Sequence, residues 1–202
     1  FAKKMLVHGL GGMETHLDNL CRALVARGHT VHVVTTRHPA GVAVEEKAGL
    51  RVRYLREAPP GRYSRVWWRV SRRAFHELVG EGPLDLVLSE SLAAASVAQL
   101  RSRPPVCPFI HGLVLAHLTS EWAQCSGWGD TLRFLGVKVP EMFYYAFVHE
   151  RPLLRNADAV LAISDQLVPQ LENRCRRVLV SYNGVDVDRF TPDEERRSQV
   201  RK

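Results

Sequence analysis

Apolar positions near the start of the chain follow two different periods. Met13, Leu17, Leu20, Cys21, Leu24 and Val25 recur every three or four residues, the single stripe of an amphipathic helix. The stripe ends at Arg27 and Gly28, a basic last turn followed by a residue suited to a left-handed cap. Thr30–Thr36 is rich in β-branched residues and predicts a strand. His38–Gly49 is polar and reads as a loop, and Leu50–Leu55 alternates as a second strand. The pattern then predicts a helix entered after Pro60 and left at Gly80, a strand over Leu84–Ser91, a short helix over Ala93–Leu100 and a strand ending at His111. It loosens from Leu113 to Gly136. Pro140–Arg155 reads as a long helix, Ala157–Ser164 as a strand, and residues 165–174 as a helix with Ser164 or Asp165 as its N-cap. Residues 177–186 read as a last strand and turn, and past Phe190 the chain is polar and charged. The extreme N-terminus has two readings. Phe1–Lys4 is the tail of a first strand whose beginning is missing, or residues 4–9 are themselves that strand. The first is preferred, because strand one should end several residues before the glycine pair.

Strands alternating with helices, several of them nearly all apolar, predict an α/β domain. It is a Rossmann-like, doubly wound, mostly parallel sheet with helices on both faces. Ligands in such domains bind beyond the carboxyl ends of the strands. That rule gathers Gly11, Gly12, Ser89, Glu90, His111, Ser164, Asn183 and Gly184 onto one rim. Gly11 and Gly12 open a helix, where unpaired N–H groups and the helix dipole suit an anion such as a phosphate. Taken alone, the pair reads first as a plain tight turn, and GxGxxG is absent. Asn183–Gly184 reads first as a turn.

The length of 202 residues and 46% hydrophobic content fit one domain with a substantial core. No apolar run approaches the ~18 residues of a spanning helix, and the start lacks the pattern of a signal peptide. Cys21, Cys107, Cys125 and Cys175 form no CxxC pair and have no zinc-ligand spacing with histidine, so free thiols in a reducing compartment are expected. The formal charge of +7 suggests an acidic partner: phosphate, anionic lipid or nucleic acid. Nucleic acid is disfavoured, because the aromatics do not lie among the basic residues as a stacking platform requires. In the helix after Pro60, Arg62, Arg65, Arg69, Arg72, Arg73 and His76 share an arc about 100° wide. This face is either a solvated side of a core helix or a peripheral contact with an anionic membrane, with Trp68 exposed at the interface.

Residues 11–36, "GGMETHLDNLCRALVARGHTVHVVTT", resemble the opening of family-4 glycosyltransferases of the GT-B fold. "ADAVLAIS" followed by "VLVSYNGVDVDRFTP" resembles the end of that family's N-terminal domain, and "FIHG" matches the strand and histidine before its variable acceptor region. The order and spacing of these motifs cover nearly the whole chain. The resemblance implies a Rossmann-like N-terminal domain at 1–190, with 191–202 starting a linker to a missing donor-binding domain. It implies retaining transfer of a sugar from a nucleotide-diphosphate donor to a lipid-linked, glycan or small-molecule acceptor, with no metal required and no other cofactor. His111 would contact the transferred sugar as the catalytic residue. Gly11, Gly12 and Glu14 would face the donor diphosphate, and Ser89, Glu90, Ser164, Asn183 and Gly184 the acceptor cleft and its edge. The acceptor would lie along Leu113–Met142. No glycosidase-type carboxylate pair is recognisable. The protein would be cytoplasmic, peripheral on the inner face of the membrane. The alternative is a non-catalytic module that binds phosphosugars or a membrane surface.

Overall fold

The computed structural model describes residues 1–184 and Arg197; Val185–Phe190 and the expected linker, Arg197 apart, lie outside the described residues. The elements run α1 (Gly12–Ala26), β1 (Val31–Thr36), β2 (Val44–Lys47), β3 (Leu50–Leu55), α2 (Arg65–Glu81), β4 (Val87–Glu90), α3 (Ala95–Ala98) and β5 (Val106–Ile110). They continue with α4 (Leu118–Ala123), α5 (Trp128–Arg133), α6 (Val139–Tyr144), α7 (Arg151–Asn156), β6 (Val160–Ala162), α8 (Val168–Leu171) and β7 (Val178–Val180).

Two ladders form, β2-β3-β1 and β4-β5-β6-β7, and every pairing is parallel except β2 with β3. The first two residues join them. The Phe1 nitrogen donates to Leu88 O at 2.7 Å, Glu90 N donates to Phe1 O at 2.9 Å, and Ala2 N donates to Val34 O at 3.0 Å. Phe1 and Ala2 thus take the strand-tail position between β1 and β4. Residues 4–9 are not a strand, because Leu6–His8 form a 3₁₀ turn.

The period-2 geometry of β1 explains the two-layer packing. Val33 faces a cluster with Leu17 and Cys21 of α1, whereas Val34 faces Trp67, Val70 and Ala74 of α2. Leu20 and Leu24 of the α1 stripe are half-buried instead, because they line a groove of about 970 Å³ bordered by β1 and β4. Cys21 is buried, the other three cysteines are half-buried, and all four are free thiols.

Four elements differ from the pattern. β2 falls in the polar stretch expected as a loop, because all four of its residues are exposed and carry no apolar period. It is an edge strand paired antiparallel to β3 over four residues, with Glu46 also paired to Arg51 at 2.7 Å and Tyr54 donating to Glu45 at 2.7 Å. The helix expected at Pro140–Arg155 begins earlier, at Trp128, and runs unbroken to Asn156 through two π-helical stretches, Phe134–Lys138 and Tyr145–Glu150. Each stretch lies just before a proline, Pro140 or Pro152. Proline removes an N–H and crowds the carbonyl four residues back, here Gly136 or Val148, and the widened turn relieves that clash. β4 and α3 are shorter than expected: β4 begins only at Val87, and Leu92–Ala94 form a buried turn between the two.

Candidate functional site

The parallel ladders bring the ends of β4, β5, β6 and β7 to one rim, with the start of α1 above them. Register fixes this arrangement: Glu90 pairs with Phe109, and Ile110 pairs with Ala162, which in turn pairs with Val180. Glu90, His111, Ser164 and Asn183 therefore follow adjacent strand ends.

The centre of the rim is a buried carboxylate between two imidazoles. His111 Nε2 lies 2.8 Å from Glu90 Oε2, and His16 Nε2 lies 3.6 Å from Glu90 Oε1. The His16 and His111 rings stand edge to face with centroids 5.5 Å apart, and His16 also packs on Phe109. Burial holds the His16 imidazole below its ordinary pKa, with His111 adding to the effect and Glu90 opposing it. Tyr63 donates to the main-chain carbonyl oxygen of Glu90 at 3.3 Å, and its own hydroxyl is pushed far up by burial. His16 was not singled out from the sequence. The signal was present, since it lies three residues after Met13 and four before Leu20, a polar residue on an apolar stripe.

The glycine loop meets this centre through α1. Gly12 is the first residue of the helix, so His16 lies about 6 Å further along the axis. Gly11 is the N-cap, in extended conformation. The Glu14 carboxylate folds so closely over it that a Cβ at Gly11 would collide, whereas a Cβ at Gly12 would meet nothing within 4 Å. Gly9 is the loop residue that needs positive φ, at 141°. His8 pins the loop to the end of β1: its Nδ1 accepts from Met5 N at 3.1 Å, and its Nε2 donates to Arg37 O at 3.0 Å. Burial lowers the Lys3 pKa, and the neighbouring Lys4 adds to this while Glu14 opposes it.

Other expected site residues are placed differently. Ser89 does not line a cleft. It is fully buried, donating to Ser91 O and accepting from Ala94 N, both at 2.8 Å, because its strand position points inward and its hydroxyl closes the turn after β4. Glu90 is buried behind the rim rather than open at its edge. Ser164 is half-buried at the N-cap of a 3₁₀ turn without a side-chain cap bond, and Asn183 and Gly184 are exposed. Glu150, not anticipated from sequence, is buried and accepts from Val114 N at 2.7 Å, tying the segment after β5 to the long helix.

Of the basic face, Arg65, Arg69, Arg72 and Arg73 lie exposed on α2, while Arg62 precedes the helix, which is capped by Ser64. Arg69 and Arg73 both pair with Glu57. Trp68 is not an exposed interfacial residue. It is stacked between Tyr63 at 5.0 Å and His149 at 3.9 Å, because its side of α2 faces the long helix. Exposed apolar side chains collect elsewhere, at Trp122, Trp128, Leu132, Leu135, Phe143 and Phe147. No helix among the described residues is long and apolar enough to cross a membrane.

Residues 10–189 match the family model for Glycosyltransferase Family 4. The chain belongs to this family. Over 100% of its length it superposes on the "Sucrose-phosphate synthase (tll1590) from Thermosynechococcus elongatus", with a TM-score of 0.69 and 18% identity, and it covers 52% of that chain. A second, twinned structure titled as the same synthase matches with a TM-score of 0.55 and 17% identity, over 99% of this chain and 96% of that one. No curated protein sequence matches. The family-4 domain here is thus a Rossmann-like half of a GT-B fold, and it spans about half the length of the first synthase chain.

Proposed function

We propose that this domain is the acceptor side of a retaining glycosyltransferase that takes its sugar from a nucleotide-diphosphate donor. The observation that carries the reading is the position of His111. It follows the central strand β5, is held by buried Glu90, and lies one helical turn below the glycine loop through His16. A sugar on the rim would meet His111 while its diphosphate reached the start of α1. The sugar–diphosphate bond would break and a bond to an acceptor hydroxyl form on the same face, the acceptor proton leaving on the diphosphate. No step of this transfer is assigned to a metal.

Magnitudes bound the part played by the loop. An anion at a helix N-terminus gains about 0.3–2 kcal/mol, while micromolar affinity needs about 8 kcal/mol. The Glu14 carboxylate against Gly11 also has to swing away from an incoming diphosphate. Most donor affinity therefore comes from a second domain beyond these residues, to which 191–202 would lead.

The acceptor would lie along Leu113–Met142, where Trp128 and Leu132 are strongly exposed. That surface supports an acceptor presented at a lipid interface and peripheral binding to a membrane, and the exposed arginines of α2 support an anionic one. It equally suits a non-catalytic membrane-surface module. Activity separates the two readings. In the full-length protein, His111→Gln should lower kcat about 100-fold with KM and melting temperature nearly unchanged. An unchanged kcat, or a large fall in melting temperature, would refute the catalytic placement.

A further inference from the structure

Charge is balanced along the β1–β3 ladder and unbalanced at its carboxyl end. Arg51 and Arg53, within β3, are paired with Glu46, Glu77 and Glu81. Arg37 and Arg56 come directly after the last residues of β1 and β3, Thr36 and Leu55, which lie side by side. Both arginines are exposed, and neither side chain has an ion pair among the described residues. Glu57, next to Arg56, is taken up by Arg69 and Arg73.

Thr36 draws further cations to the same place. Its hydroxyl donates to Lys3 O at 2.8 Å and accepts from Gly61 N at 2.8 Å. Lys4 therefore follows one residue that Thr36 touches, and Arg62 follows the other. Lys4 lies against Gly61, with its Cε 2.9 Å from where a Cβ would stand, and Lys3 Nζ is 5.1 Å from the centre of the Tyr63 ring. Both lysines are half-buried, and neither ammonium group has an ion pair or hydrogen bond among the described residues. Burial and the neighbouring Lys4 disfavour the Lys3 charge more than nearby Glu14 favours it.

We propose that Lys3, Lys4, Arg37, Arg56 and Arg62 form a subsite for a phosphate monoester carried by the acceptor. The inference rests on the acceptor-side reading of the domain and names the chemical class of its acceptor. A phosphate monoester carries roughly −1.5 to −2 charges at pH 7 and three acceptor oxygens, enough to offset two crowded lysines and engage the arginine forks. The subsite lies beyond the carboxyl ends of parallel strands, where ligands of such sheets bind. It also adjoins the His111 centre. The Tyr63 hydroxyl reaches Glu90 O at 3.3 Å, and the Glu90 carboxylate holds His111 at 2.8 Å. Only Tyr63 and Glu90 thus separate Lys3 from His111. The phosphate is a handle: no bond to it forms or breaks, and a hydroxyl elsewhere on the acceptor takes the sugar.

The test is titration calorimetry of the full-length protein at low salt with inorganic phosphate, glucose and glucose 6-phosphate, beside sedimentation with phosphatidic acid vesicles. Glucose 6-phosphate should bind more tightly than inorganic phosphate, weaken as salt rises, and have no counterpart in glucose. Lys3→Met and Arg37→Gln should each weaken ester binding about tenfold or more, the scale of one charge-assisted hydrogen bond. Lys3→Arg should retain it. Arg101→Gln, which alters an exposed arginine ahead of β5 at the other end of the sheet, should bind as the wild type does. Circular dichroism checks folding, and Arg37→Gln carries the test if Lys3→Met does not fold. Vesicle binding that needs Lys3 and Arg37, without binding of glucose 6-phosphate, would place the same phosphate on a lipid acceptor. Inorganic phosphate preferred over both esters, no phosphate binding at all, or binding unchanged in Lys3→Met and Arg37→Gln would overturn the proposal. The glycosyl-transfer reading is tested separately, by turnover of His111→Gln, and stands or falls apart from this titration.

Discussion

His149 should make the domain acid-sensitive in a way that one substitution can isolate. Its ring is stacked on Trp68 at 3.9 Å and meets Tyr144 edge-on at 5.2 Å, with no acidic partner to favour a charge. Its Nε2 is buried without a hydrogen bond. Burial alone pushes its pKa down from 6.5 to about 4. In the unfolded chain it takes a proton as the pH falls through 6.5; in the folded chain it does so only near 4. Between these values the unfolded state binds more protons, so stability falls as the pH falls. The contribution is intact above pH 6.5 and fully lost below about 4. Linkage arithmetic gives a loss of about 2 kcal/mol between pH 7 and pH 5, a large share of the ~5–15 kcal/mol typical of a domain. His149→Phe keeps a ring in the stack and removes the titration. Urea unfolding of both proteins at pH 7, 6 and 5 should show the wild type losing about 2 kcal/mol more than the variant. His16 and Glu150 titrate in both proteins and cancel in the difference. Parallel losses would show that His149 is protonated in the folded state without penalty, and the burial argument would fail.

Trp67 offers a second stability test. It is fully buried, and its indole donates to Ala93 O at 3.2 Å, linking α2 to the turn after β4. Trp67→Ala should cost about 3–5 kcal/mol through the cavity, and Trp67→Phe about 1–2 kcal/mol through the orphaned carbonyl. A Trp67→Phe variant as stable as the wild type on urea unfolding would show that the hydrogen bond contributes nothing. For membrane contact, the chain should sediment with anionic vesicles and release as salt rises. Arg65→Glu, Arg69→Glu and Arg72→Glu together should abolish binding, and Trp128→Ser with Leu132→Ser should weaken it several-fold. Vesicle binding indifferent to both sets would refute the peripheral reading.

The sequence alone determined the fold class and most of its elements, because each element buries a face whose period is written locally. The α1 stripe, the β-branched run of β1 and the apolar runs of β4 and β5 are examples. It also determined the family, through motifs near both ends of the chain, and it placed Glu90 and His111 at the ends of strands. It did not reveal β2, an edge strand held by its ladder with β3 and marked by no apolar pattern, nor the π-helical turns ahead of Pro140 and Pro152. The identity of the site's third member, and the direction in which Ser89 and Trp68 face, were decided by tertiary structure. Ser89 and Glu90 are consecutive in a strand and so point to opposite sides, one into the turn after β4 and one toward two imidazoles. His16, Glu90 and His111 are far apart in sequence. Only parallel pairing of β4 with β5, and the packing of α1 against Phe109, brings their side chains within reach of one another.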